Sequence, residues 1–503
     1  MSSQESRSFR FIRNVSWNIL SQIAIAVLSF LIIPFLITRL GIEHYGLYVL
    51  MHTIANYLLM FTFGAGLSTI KHVAEFKAAG DGRGLRDTLR YTAWLHAVGP
   101  ALAVAALFFG TRFFVVDVFH IPEAYLEQSI LVLRCGSVGA IFWILTQPGT
   151  SALQGIQRFD LLNLVLFLQG GLMPLGVAGI VAAGLGIKAA ALWYLGLNAA
   201  LFFFTSGLTW RRMRPLLALP RGKSIPFKTF TFWGLNIWLA QVAWIVTYQF
   251  DKILIARGLS LADLTFYSVP VGLLQRLQII PGVVATAILP MMSELRGKDD
   301  EESIRRVYLR SVRFMLWISL PVLVLLFAVM PQFLGIWVGG SFAARSVWPA
   351  RWMVISQIFM LLSAMCHNPA FTSKKPWYMP LWAWAQALLS VLGWKLLLPR
   401  YGLLGVAIGS LLGQALPTVI YLHFVHKNLI GISLGKYVRE SLFVPGISAA
   451  LMLAAVFPFH AWATTWARLF VLGASGCLLY FSLAWFLMDR DDREVLLKTL
   501  RLA

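Results

Sequence analysis

Apolar runs of about 20 residues recur along almost the whole chain, and they decide what it can fold into. Each is long enough to cross a hydrocarbon core of about 30 Å as a helix. The first series lies near Val15–Thr38, Tyr45–Ser68, Tyr91–Gly110, Gln128–Thr150, Leu161–Ala183 and Ala189–Trp210. A second lies near Phe230–Ala256, Leu264–Pro290, Val312–Met330, Val347–Ala370, Pro380–Leu398 and Gly402–Val425. Two more runs, Ser441–Phe457 and Ala467–Met488, close the chain. The expected fold is an all-α polytopic membrane protein with about 14 transmembrane helices. Composition agrees: 13% of residues are charged, against roughly 25% in soluble domains.

A formal net charge of +21 would suit a nucleic-acid partner if it were clustered. It is spread instead over many short inter-helix loops, which excludes that class and reads as topology. Lys and Arg accumulate on the cytoplasmic side. With the N-terminus inside, the cytoplasmic segments include "KHVAEFKAAGDGRGLRDTLR", "RRMRPLLALPRGKSIPFK", "ELRGKDDEESIRRVYLRSVR" and "HKNLIGISLGKYVRE". They and the C-terminal tail hold about 30 basic residues, whereas the outer loops hold about 9. Both termini are then cytoplasmic. The first apolar run is too long for a signal-peptide core and has no small-residue cleavage site, so it reads as a retained span. Cys135, Cys366 and Cys477 fall in apolar segments without metal-ligand spacing.

The first six spans resemble the next six at an offset of about 220 residues. "SWNILSQ" (Ser16–Gln22) matches "GLNIWLAQ" (Gly234–Gln241), and "ITRLGIEHYG" (Ile37–Gly46) matches "IARGLSLADLTFYS" (Ile255–Ser268). "AEFKAAGD" (Ala74–Asp81) matches "SELRGKDD" (Ser293–Asp300), and Pro148 matches Pro369. Six is even, so both halves enter the membrane in the same sense, as in transporters built from parallel repeats. The expected organisation is an N-terminal six-helix lobe at 1–210, a cytoplasmic linker at 211–228 and a C-terminal six-helix lobe at 229–428. Residues 429–503 add two further helices and a cytoplasmic tail.

Several stretches carry a family resemblance. They are "NVSWNILSQIAIAVLSFLIIPFLITRLGIEHYGLYVL", "GAGLSTIKHVAEF", "ALQGIQRFD", "DKILIAR" with "FYSVPVGL", and "ILPMMSEL". In order and spacing these resemble the lipid-linked oligosaccharide flippases, the polysaccharide-transporter branch of the multidrug and oligosaccharidyl-lipid exporter superfamily. The resemblance implies two six-helix lobes around a cationic cavity in a bacterial inner membrane, working by alternating access. It also implies a polyprenyl-pyrophosphate-linked glycan as substrate, moved from the inner to the outer leaflet for surface polysaccharide such as O-antigen. Membrane lipids and polysaccharide polymerase or assembly proteins are the implied partners, and no cofactor is expected.

Charges inside apolar runs mark the candidate site. Placing one at mid-bilayer costs at least about 2.5–3.5 kcal/mol on insertion scales, so such residues face a bundle interior or an aqueous cavity. Arg134 and Arg276 fall deep in their spans, and Arg351 lies near the outer end of its own, close to the repeat-equivalent of Arg134. Arginine grips phosphate oxygens in a bidentate way. All three are therefore candidate substrate-binding residues, against inter-helix pairing or, for Arg351, snorkelling to the outer headgroups. Asn18, Gln22 and Gln241 either line a sugar-accepting cavity or bond neighbouring helices, as do Asn56 and Gln357. Asp251, Lys252 and Arg257 are the gating or coupling candidates. Adjacent helical residues point about 100° apart, so Asp251 and Lys252 cannot satisfy each other. Lys252 is expected to snorkel outward. Asp251 is expected to face the inter-lobe cavity, paired with an arginine such as Arg276.

Two rival classes are weaker. An integral enzyme would need a sizeable domain, and the outer loops are short. The one D-x-D motif, within Asp489–Asp492, sits in a tail too small to form a site. No P-loop pattern occurs, so the chain does not power transport by its own nucleotide hydrolysis. A cation-coupled multidrug exporter of the same superfamily is the alternative. It would require carboxylates in the first lobe's cavity, and no Asp or Glu lies well inside the first six spans.

Overall fold

The computed structural model describes residues 3–220, 222, 224–298, 300–372, 377–488 and 493–494. Side chains at 3–21, 233, 236–237, 283, 286–287, 290 and 371–372 lie outside the description. Asn18 and the Asp489–Asp492 motif therefore fall outside it. The described secondary structure is entirely helical, and the chain packs as two compact units, Met1–Thr265 and Phe266–Ala503.

In the first unit, α1 (Ser3–Leu40) passes directly into α2 (Ile42–Leu58) through Gly41, whose φ of 88° suits a residue without a Cβ. The second span is bent: after a 3₁₀ turn, Phe63 and Gly64 are both left-handed, and α3 (Ala65–Ala78) leaves at 51°. Asp81 caps α4 (Gly82–Phe109), accepting from the backbone N–H groups of Arg83 and Gly84 at 2.9 Å. Then follow α5 (Leu126–Gly155), α6 (Phe159–Ala182) and α7 (Gly186–Leu217). Gly136, Gly139 and Gly149 bring α5 against Met51, Tyr194 and Thr205, the close approach that small residues permit between helices in lipid.

Helix α8 (Phe227–Gly258) packs on α2 and α3. Gly64 meets Gly234 so closely that a Cβ on Gly64 would stand 2.3 Å from the Gly234 carbonyl oxygen. Beside them, Ser68 Oγ donates to the Phe230 carbonyl at 2.8 Å and Trp238 Nε1 to that of Met60 at 2.5 Å. Toward the other end of α2, Gly46 abuts the Leu261 carbonyl, and Thr265 Oγ1 donates to the Ile42 carbonyl at 2.7 Å. These contacts explain why α8, which the duplication assigns to the second lobe, belongs by packing to the first unit. The segment 211–228 lies within that unit as well.

The eighth span is one apolar run in the sequence but not one helix. It consists of α9 (Leu261–Arg276) and α10 (Ile279–Gly297), parted at Leu277–Gln278. Pro281 has no N–H to return to Leu277, which breaks the ladder there, and its own position in the first turn of α10 is one that proline favours. Gln278 Nε2 bridges from the break to Gln357 Oε1 at 3.2 Å. Helix α11 (Glu301–Trp337) is capped by Asp300, the repeat-mate of Asp81, which accepts from the Ser303 N–H at 3.0 Å. The Ser303 N–H and hydroxyl hold the Asp300 carboxyl below its ordinary range. Next come α12 (Gly340–Ala364) and α13 (Tyr378–Val425). The latter folds back at Gly402 (φ 55°, ψ −133°) and so holds both the eleventh and twelfth spans. The added helices α14 (Phe443–Val456) and α15 (Trp466–Leu487) pack on each other and on α11.

Ten of the described helices are long and apolar enough to cross a membrane, or eleven with the bent second span. Counting α13 twice and including α8 and the broken α9–α10 span agrees with the expected number, about 14.

Candidate functional site

Arg351 is 8% exposed, and protein groups surround its guanidinium. Nε donates to the Phe327 carbonyl at 3.0 Å and a terminal nitrogen to that of Ala328 at 3.3 Å, both on α11. The Phe327 carbonyl is open to it because the residue four positions on is Pro331, which has no N–H. The rings of Phe327, Trp348 and Phe457 surround the cation at 5.3, 5.3 and 5.7 Å. Arg351 therefore neither snorkels nor faces an opening; it ties α12 to α11.

Arg134 occupies the matching place in the first half. Its guanidinium lies 5.1 Å from the ring of Phe108 on α4, as that of Arg351 lies on Phe327. Here, however, α4 ends at Phe109, and the Thr111 hydroxyl takes the Leu107 and Phe108 carbonyls at 2.7 and 2.9 Å. Arg134 Nε is buried without a hydrogen-bond partner among the described residues.

Asp251 and Lys252 are both buried in α8, at 3% and 8% exposure. Asp251 Oδ1 accepts from the Lys252 backbone N–H at 2.8 Å, and Lys252 Nζ donates to Gln249 Oε1 at 2.8 Å. Neither of these two bonds joins the carboxylate to the ammonium. Lys252 departs from expectation: it does not reach outward. Helical side chains tilt toward the N-terminus, and Gln249 holds the ammonium one turn back along the helix. Tyr57 of α2 lies within Coulombic reach of Asp251. The remaining candidates are exposed: Gln22 on α1, Gln241 and Arg257 on α8, and Arg276 at the end of α9. Asp251 lies in the first unit and Arg276 in the second.

A cavity of about 430 Å³ opens inside the first unit between α1, α2, α5, α6 and α7. Of the candidate polar residues described, Asn56 lines it; Tyr48, His52, Trp143, Gln169, Tyr194 and Asn198 also do. His52 stands edge-on to Tyr48 and Tyr194, with centroids 4.5 and 5.0 Å away. The Asn56 and Asn198 amides donate to the carbonyls of His52 and Tyr194 at 2.9 and 2.8 Å. That leaves each Oδ1 to accept from a ligand. His52 Nε2 has no partner among the described residues. Among the described residues the lining contains no Asp, Glu, Lys or Arg. Such a surface offers aromatic faces and hydrogen-bond acceptors. Arg134 does not line it: nine residues separate it from Trp143, which puts them on opposite faces of α5, about 13 Å apart along the axis.

The sequence family described as "Polysaccharide biosynthesis protein" matches residues 36–346. The chain belongs to this family. The chain is 23% identical over 409 residues to "Putative O-antigen transporter" of Shigella flexneri, covering 79% of this chain and 93% of that one. It is 24% identical over 532 residues to "Uncharacterized membrane protein EpsK" of Bacillus subtilis (strain 168), covering 98% of each. Two solved structures share its fold. One is a lipid II flippase, MurJ, in an inward closed conformation, with TM-score 0.69 at 12% identity, covering 94% of this chain and 98% of that one. The other is an inward-facing multidrug resistance transporter of the MATE family, with TM-score 0.67 at 15% identity, covering 82% and 98%.

Proposed function

We propose that this polysaccharide biosynthesis protein moves a polyprenyl-pyrophosphate-linked oligosaccharide from the cytoplasmic to the outer leaflet of a bacterial inner membrane by alternating access. Both termini are cytoplasmic in this reading, and the chain acts as a transporter rather than an enzyme. The observation that carries it is the uncharged, acceptor-rich cavity of the first unit. A sugar needs acceptors for its hydroxyls and an apolar face for its ring, and Asn56, Asn198, His52 and the aromatic walls supply both. The volume, about 430 Å³, lies within the roughly 300–1,000 Å³ typical of small-ligand sites. It takes part of a glycan, not a polyprenyl tail. The family and the name of the Shigella flexneri relative point to the same substrate class.

Protection from alkylation tests the reading. Cys135 and Cys366 are buried, so Ser29→Cys with Cys477 replaced offers one reactive thiol at the cavity wall. Neutral oligosaccharide should slow its reaction with a permeant maleimide, and tetraphenylphosphonium should not. The reverse pattern would favour the cation-coupled exporter.

A further inference from the structure

We propose that the second span hinges at Phe63 and Gly64. Trp238 of α8 holds the span bent, and on release the span straightens and swings α3. The hinge and the helix that holds it both lie in the first unit. The device does not depend on what the cavity carries.

A straight helix returns the N–H of each residue to the carbonyl four places before it. Here the 3₁₀ turn Leu59–Thr62 runs into two left-handed residues, Phe63 (φ 49°, ψ 36°) and Gly64 (φ 69°, ψ 13°), and that ladder cannot continue. Glycine takes the left-handed region freely. A phenylalanine does not, and such an outlier persists only where its surroundings hold it. Those surroundings come from α8. Trp238 Nε1 donates at 2.5 Å to the Met60 carbonyl, which a straight helix would give to the Gly64 N–H. The Phe63 and Trp238 rings lie 5.3 Å apart. Gly64 sits against Gly234, and Ser68 Oγ, beyond the bend on α3, donates to the Phe230 carbonyl at 2.8 Å.

Two forms of the span therefore exchange interactions of similar kind. The bent form has the indole bond, the ring contact and the Ser68 bond. The straight form recovers backbone hydrogen bonds across the bend and relieves Phe63. Packed elements of this sort switch between discrete arrangements rather than deform continuously. Tyr48, His52 and Asn56 line the cavity and lie on α2, before the hinge, so a swing of α3 moves the far half of the span relative to that wall. The duplication repeats the interruption. An offset of about 220 residues carries Phe63 and Gly64 to within two residues of Pro281 and Gly282, beside the break in the eighth span. Both halves interrupt this span at the corresponding place, one by left-handed residues and the other by a proline.

The test reads a distance in the purified full-length protein in lipid nanodiscs. Cys135 and Cys366 are buried, so with Cys477 replaced, spin labels can be placed at Glu43→Cys and Ala78→Cys, near the two ends of the bent span. Straightening the 51° bend should lengthen their separation by about 5 Å, at a rise of about 1.5 Å per residue. Trp238→Phe removes the indole N–H and keeps an aromatic ring. It should raise the ratio of long to short separations about three- to tenfold, the range expected for one lost hydrogen bond. Ser68→Ala, a milder change that removes the other bond to α8, should shift the ratio in the same direction. An unchanged distribution in both variants and in their combination would overturn the proposal, because a rigid kink has no second form to populate. Broadening without a longer separation would overturn it too, since that is local disorder and not a hinge. The distances are read without substrate, so they stand or fall apart from the glycan reading.

Discussion

Arg351 and Arg134 occupy equivalent places in the two halves, each with its guanidinium on a phenylalanine of the preceding long helix, and they do different work. In the second half α11 runs on past Phe327, and Pro331 leaves a carbonyl for Arg351 to bind. In the first half α4 stops at Phe109, and Thr111 takes the corresponding carbonyl. The duplication preserved where the cation stands, while the way each helix ends decided whether that cation is a fastener or an available donor. An intramembrane arginine is thus informative only together with the backbone groups around it.

The contrast can be broken at either end. The largest effect on stability belongs to Arg351→Ala. It deletes two charge-assisted hydrogen bonds and three ring contacts, and should cost about 2–4 kcal/mol, seen as a lowered thermal midpoint in detergent. Pro331→Ala should sharpen the explanation, because an N–H at that position can satisfy Phe327. In that background the Arg351→Ala penalty should shrink by about 1 kcal/mol, and an unchanged penalty would disconnect the proline from the clamp. Arg134→Ala should cost less than about 1 kcal/mol, the worth of its ring contact. It should nevertheless abolish glycan export at normal protein levels, with Arg134→Lys restoring only part because a point charge replaces a fork. Normal export in Arg134→Ala would make this arginine a fastener too. The last variant is Asp251→Asn, which keeps the acceptor for the Lys252 N–H. A transport defect without destabilisation would assign Asp251 to the gate, whereas intact transport would leave it structural.

Much of the fold was legible in the sequence. The apolar runs located the spans, and the match of Ala74–Asp81 with Ser293–Asp300 pointed to two helices that prove to be capped alike, by Asp81 and Asp300. The break in the eighth span was legible too, since Pro281 carries it, although proline is common enough in membrane helices to pass as inert. The cavity was harder. Tyr48, His52 and Asn56 recur every four residues on α2, a visible polar stripe, but the facing Trp143, Gln169 and Asn198 come from three other helices and only packing unites them. The clamp on Arg351 was hidden for a similar reason. It depends on a carbonyl released by a proline 20 residues earlier in the chain, and a missing backbone N–H has no side-chain signature. Lys252 was misjudged because snorkelling presumes open water nearby, while Gln249 offered a nearer partner.

The claim that the first-unit cavity handles the sugar of a lipid-linked glycan is tested most directly by flipping in proteoliposomes. The protein is reconstituted with a fluorescent polyprenyl-pyrophosphate oligosaccharide, and the fraction protected from an external quencher is followed over time. The native chain should move the glycan lipid. Asn56→Leu with Asn198→Leu, which removes two acceptors from the cavity, should slow movement at least about tenfold, the loss of two modest hydrogen bonds, without lowering the thermal midpoint. Flipping at the native rate in that double variant would contradict the account, as would export of tetraphenylphosphonium along an ion gradient while the glycan lipid stays in place.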